Sequence, residues 1–181
     1  MKVRINGNEL KNLMLAVSKN KAREILHCLH IERHGNNVEF TTTDGGTLMM
    51  FSRPISIYGD DLPDDFKISF DLSNYKLNDK HIYHLIEEDG KLFFIGPDLK
   101  VEVLPNTTNF PNYHLLIDGF EKFDIAKDFT LFSDKQLKIL FKIFSTFDNL
   151  RPLTKGATHP HFWKRLAGDA FWLVVLMPIR F

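Results

Sequence analysis

Lys135, Lys138 and Lys142 stand at i, i+3 and i+7. On a helix that spacing stacks three ammonium groups in one stripe. Such a stripe can meet phosphates; alone, it also fits an ordinary solvated face. Lys11 and Lys19 form a second basic pair, and Lys21 and Arg23 follow closely. Histidines cluster as His27, His30 and His34, as His81 and His84, and as His159 and His161. His81 and His84 would share a helix face, but their surroundings read as strand or turn, and no cysteine or carboxylate completes a typical ligand set. Cys28 and His27 would point to opposite faces of a strand. The sequence has no Gly-rich phosphate loop, nucleophile elbow or HExxH motif. The expectation is therefore no catalytic residue, no metal and no cofactor: a binding protein and not an enzyme.

Composition narrows the class. The 181 residues suffice for one ordinary domain or two small ones. Basic and acidic residues balance at 23 each. This argues against a simple DNA-coating protein but leaves room for charge segregated by face. Seventeen phenylalanines predict a Phe-rich core. The single cysteine excludes an intrachain disulfide framework and suits a reducing compartment. The opening MKVRINGNEL has no apolar signal region, and the longest apolar run, Phe171 to Met177, is too short to span a bilayer. A cytosolic protein without membrane contact is expected.

The elements that must position these residues recur in three units, each a short strand leading into an amphipathic helix followed by strands. In the first, Lys2 to Ile5 alternates as a strand, and Asn6 with Glu9 has capping-box spacing. Leu10, Leu13, Met14 and Val17 give the helix its apolar stripe. Strands are predicted over 25–32, 38–43 and 48–57, with a turn at His34-Gly35-Asn36-Asn37. The second unit pairs a strand at 67–70 with a short helix at 72–77. A meander follows over 81–87, 91–95 and 100–104. Residues 105–128 connect. The third unit opens with a strand at 129–132. Ser133 and Gln136 cap a helix whose stripe is Leu137, Leu140, Phe141 and Phe144. An irregular stretch, 149–160, precedes closing strands at 161–166 and 171–181. The pattern predicts an α+β fold with helices on one face of antiparallel sheets.

Three motifs resemble the bacterial DNA sliding clamp, the beta subunit family of DNA polymerase III. Gly35 to Leu48, with Thr43-Asp44-Gly45 closing a strand, resembles a segment of that family's middle domain. Phe110-Pro111-Asn112-Tyr113 resembles the Phe-Pro-Asp-Tyr stretch leaving the same domain. Val175 to Phe181, containing Met177-Pro178-Ile179-Arg180, resembles the family's C-terminal tail. The order matches as well. Two departures stand out. Gly46-Thr47 occupies the place of the family's usual His-Arg pair, and the chain is far shorter than a three-domain clamp subunit, as a viral or mobile-element version would be.

The resemblance implies a clamp-like domain over 1–117 and a compressed second one over 118–181. It implies a non-enzymatic processivity factor: a homo-oligomeric ring on duplex DNA, without sequence preference, that recruits DNA polymerase and other proteins carrying a clamp-binding motif. Lys11, Lys19, Lys21, Arg23, Lys135, Lys138 and Lys142 would face DNA. Leu26, Thr43, Gly45, Leu48, Pro111, Leu115, Leu116, Val175, Met177, Pro178 and Arg180 would line a peptide cleft. The alternative is a clamp-fold binding module of a mobile element that forms no ring and mimics or modulates a host clamp.

Overall fold

The computed structural model describes residues 1–20, 22–57, 62–106, 109–126, 130–144 and 152–179. Strand β1 (Lys2–Asn6) leads directly into helix α1 (Gly7–Leu13). Asn6 caps that helix, its N–H donating to Glu9 Oε2 at 3.1 Å. Gly7 is required where it stands: its N–H meets His81 O at 2.7 Å, and a Cβ would lie 1.9 Å from Asn78 O. Four strands follow: β2 (Cys28–His34), β3 (Asn37–Thr43), β4 (Thr47–Pro54) and β5 (Lys67–Asp71). Next come β6 (Ile82–Glu88), β7 (Lys91–Gly96) and β8 (Leu99–Glu102). The last part holds α2 (His114–Ile117), β9 (Asp124–Ile125), α3 (Asp134–Ile143), β10 (Leu153–Thr154), β11 (His161–Ala167) and β12 (Ala170–Leu176).

Among the described residues these strands form two antiparallel sheets. The smaller has the order β1-β6-β7-β8; the larger runs β5-β2-β3-β4-β12-β11-β10-β9. The joint between β4 and β12 brings residues 47–54 and 170–176 into one sheet, pairing Leu48 with Val175 and Met50 with Leu173. Strand alternation then sorts side chains by face. Met49, Phe51, Trp172, Val174 and Leu176 point inward. They share one core with Val3, Tyr83 and Phe94 of the smaller sheet and with Leu10, Leu13, Ile139 and Ile143 of the helices. Leu48, Met50, Phe162, Leu173 and Val175 point outward, where Tyr113, Ile117 and Phe120 of the connecting segment cover them.

The predicted α+β architecture of antiparallel sheets and amphipathic helices is the one observed. The expected helix at 72–77 is a turn instead. Asp71 Oδ1 accepts from Ser73 N–H at 2.7 Å, and Tyr75 N–H donates to Leu72 O at 3.1 Å. Ser and Asn compete with helical bonding in this way. The strand expected at 129–132 does not form over 130–132, and Phe129 lies outside the described residues. Residues 24–27 make a one-turn 3-10 helix ahead of β2, and 55–57 another after β4. Short strand β10 lies within the stretch expected to be irregular.

The stripe on α3 is also shifted. Ile139, Leu140, Ile143 and Phe144 are buried together with Gln136, whereas Phe141 is 42% exposed. Lys135, Lys138 and Lys142 stand at exposed positions of this helix. No helix among the described residues is long and apolar enough to cross a membrane.

Candidate functional site

The Thr43-Asp44-Gly45-Gly46 turn is built from local hydrogen bonds. Asp44 Oδ1 accepts from Gly46 N–H at 3.0 Å and from Thr47 N–H at 2.8 Å. The Thr43 hydroxyl donates to Thr47 O at 2.7 Å and accepts from Gly45 N–H at 3.1 Å, so the turn itself uses it fully. Gly45 has φ +90, a conformation that favours glycine.

Helix α3 docks on this turn. Its capping box is complete: Gln136 N–H donates to Ser133 Oγ at 3.3 Å, and Ser133 N–H donates to Gln136 Oε1 at 2.8 Å. The same Gln136 amide donates from Nε2 to Gly46 O and to Met177 O, each at 2.9 Å. Met177 N–H returns to Gly46 O at 2.9 Å, and Ile179 N–H donates to Leu131 O at 3.0 Å. One side chain thus ties helix cap, turn and tail together. Lys135 pairs with Asp44 of the turn.

The residues expected to face DNA divide. Lys11, Lys19 and Lys142 meet around one cavity of about 410 Å³, walled by Met14, Leu15, Tyr75 and Leu77. Lys138 is exposed on the same helix as Lys142. Lys11 lies 3.8 Å from Asp79, both about half exposed, a weak pair in water. Lys135 is turned toward Asp44. Arg23 lies beside Gly45, together with Leu26. Lys21 lies outside the described residues.

The cleft candidates converge only partly. Leu26, Thr43, Gly45 and Met177 gather at the turn. Leu48 and Val175 are buried cross-strand partners in the outer apolar cluster, with Leu116 packed at its margin. Leu115 is 81% exposed. Pro111 lies elsewhere, on a cleft of about 500 Å³ with His30, Glu32 and Lys67. Pro178 is half-buried, and Arg180 lies outside the described residues.

A group that sequence reading missed sits beside that second cleft. Tyr113 O–H lies 2.7 Å from Glu39 Oε2 and also contacts Glu32 Oε1. His114 Nε2 is 2.6 Å from Glu32 Oε1 and 3.7 Å from Glu39 Oε2. His30 contributes Nε2 at 3.4 Å from Glu32 Oε2, and its Nδ1 is 2.7 Å from Ser69 Oγ. Two rings stack over the group: Phe110 on His30 at 4.5 Å and His34 on His114 at 4.0 Å. Burial by itself would raise the Glu32 carboxyl, but hydrogen bonds from His30, Tyr113 and His114 prevail and bring it down to about 2. Burial raises Glu39, and contacts with Tyr113 and His114 offset this only in part. One signal was present in the sequence: His30, Glu32 and His34 alternate on one strand face. Glu32, Glu39 and His114 could hold a cation, their ligand atoms all lying within 4.8 Å of one another. Burial pushes the Cys28 thiol up to about 11, with help from Asp71, which disfavours the thiolate.

No protein-family model matches the sequence, and a search of curated proteins finds no relative. Solved structures do match in fold. The structure of the C-terminal region of FEN-1 bound to A. fulgidus PCNA aligns at TM-score 0.61 and 13% identity, over 99% of this chain and 98% of that one. The DNA polymerase sliding clamp of Bacillus subtilis aligns at TM-score 0.64 and 14% identity, over 100% of this chain and 64% of that one. The DNA polymerase III beta subunit of Thermotoga maritima aligns at TM-score 0.65 and 11% identity, over 100% of this chain and 66% of that one. The chain spans just under two thirds of these bacterial clamps. At such identities the likeness establishes the DNA-clamp fold.

Proposed function

We propose that this chain, which has the DNA-clamp fold, is a non-enzymatic processivity factor: a ring-type platform on duplex DNA that tethers a polymerase and other partners. The observation that carries this reading is the meeting of Lys11, Lys19 and Lys142 around one cavity between α1 and the end of α3. With Lys138 they offer phosphates a basic surface contributed by both parts of the chain. Such contacts read no bases and weaken with salt.

In this reading residues 1–117 form one clamp-like unit and 118–181 a shortened second one, as in a reduced viral or mobile-element clamp. Several copies close a ring, because retention on DNA by topology needs encirclement and closed symmetry covers edge strands such as β8 and β9. Partner peptides dock on the outer side, near the Thr43–Leu48 turn and the Met177-Pro178-Ile179-Arg180 tail. The A. fulgidus clamp structure, with the FEN-1 C-terminal region bound, supports partner docking of this kind. Linking a polymerase to a ring makes each rebinding intramolecular.

The test is retention on circular duplex DNA. The wild-type protein is expected to stay on a closed circle and to leave when the circle is cut. A Lys11→Glu, Lys138→Glu, Lys142→Glu variant should lose retention while melting at the same temperature. Equal retention on linear and circular DNA, or strong sequence preference, would overturn the ring. One observation favours the alternative of a ringless module of a mobile element that mimics a host clamp. Among the described residues, those after 118 contribute strands to one sheet only.

A further inference from the structure

We propose that Glu32, Glu39 and His114 form a site for a divalent cation of the zinc type, which pins the connecting segment around His114 to the outer face of the larger sheet. The ligand set comes from three segments: β2, β3 and the start of α2. Their donor atoms all lie within 4.8 Å of one another. A tetrahedral zinc ion holds N and O ligands at about 2.0–2.2 Å, which separates them by roughly 3.3–3.5 Å. His114 Nε2 is 2.6 Å from Glu32 Oε1 and 3.7 Å from Glu39 Oε2, so shifts of under 1 Å, about a bond's length or less, bring these two pairs to that spacing.

Charge and hydrogen bonding point the same way. Glu39 is 4% exposed and shares its surroundings with a second carboxylate. A single phenol hydrogen on Tyr113 faces both of them. One O–H cannot serve two acceptors fully, so an ion here would add fixed positive charge to what His30 and His114 supply only when protonated. Thr41 supplies an independent sign. It lies two residues from Glu39 on the same face of β3, is fully buried, and acts on the Tyr113 phenol. Apart from that phenol, its Oγ1 has no hydrogen-bond partner among the described residues. A water on the ion's open position would give that hydroxyl a further partner.

The surroundings suit a ligand site. His34 stacks on His114 with an interplanar angle of 18°, which fixes the ring. His30 steadies the other carboxylate oxygen of Glu32. Outer contacts of this kind orient metal ligands. The adjoining cleft of about 500 Å³ gives the ion a way in. One imidazole with two carboxylates fits zinc, cobalt or manganese better than calcium or magnesium, which favour oxygen ligands alone.

The test uses the full chain, freed of metal by chelation and titrated with Co²⁺ and then Zn²⁺. The wild type is expected to bind one Co²⁺ per chain, to show visible ligand-field bands, and to lose them to Zn²⁺. Glu39→Gln and His114→Gln should each weaken binding by about tenfold or more. His159→Gln, outside the group, should bind as the wild type does. Added Zn²⁺ should raise the melting temperature of the wild type and the His159→Gln control alone. A wild type without saturable binding at one ion per chain overturns the site. So does binding by His114→Gln equal to that of the wild type.

Discussion

Gln136 shows how much one side chain can organise. Its amide serves the cap of α3, the carbonyl of Gly46 and the carbonyl of Met177 at once. Gln136→Leu would keep the size and leave buried polar groups without partners. The expected loss is about 1–3 kcal/mol, read as a lower urea midpoint. His161 belongs to the same scale. Its Nδ1–H donates to His159 O at 2.9 Å, and Nε2 lies 3.1 Å from the Thr130 hydroxyl. Burial lowers its pKa, and the bond to His159 opposes that only partly. The folded protein therefore holds a neutral ring. The unfolded chain takes up a proton as pH falls through about 6.5, so this residue's contribution to stability is present above that pH and declines below it. His161→Asn should be less stable at pH 8, and its deficit relative to the wild type should shrink by pH 5.5 in paired urea titrations.

At the scale of elements, α3 teaches the difference between period and placement. Both possible stripes satisfy a helical repeat, because Leu137 and Phe141 alternate with Ile139 and Ile143 around the turn. The cap at Ser133 and the bond from Gln136 to the turn fix which side faces inward. Ile143→Ala should cost about 2–5 kcal/mol, the usual range for a buried truncation. Leu137→Ala, at a half-buried position, should cost less than half as much. Ser133→Ala should cost about 1 kcal/mol through the lost cap. All three are measurable by chemical unfolding. The helix missing at 72–77 has the converse lesson. Leu72, Tyr75 and Leu77 do reach the core, but Asp71 and Ser73 close a turn before a helix can start.

For the whole molecule, the joint between β4 and β12 is the decisive feature, since it merges strands β2 to β5 with strands β9 to β12 into one sheet. It explains why the apolar outer cluster includes Leu48, Val175 and Phe120 from distant segments. The proposed ring predicts a cyclic oligomer by analytical ultracentrifugation, its mass a whole multiple of 21.1 kDa. A monomer at high micromolar concentration would favour the ringless module. The basic surface predicts DNA retention that falls steeply with salt, with a shallower slope for the Lys11, Lys138, Lys142 variant.

The sequence by itself determined what local chemistry decides. Both capping boxes and the alternation of the long strands were readable, because each depends on residues two to four apart; the Thr43-Asp44-Gly45 turn entered through the family resemblance. So was the α+β class, which follows from the recurrence of such patterns. Tertiary structure decided the rest. It turned Lys135 toward Asp44, gathered Lys11, Lys19 and Lys142, and sent Leu115 outward. It also set His114 against Glu32 and Glu39. Those outcomes depend on how strands far apart in the chain align in register, and a one-residue slip would send every side chain of a strand to the opposite face. Local propensity carries no information about that choice; the burial of both sheet faces does.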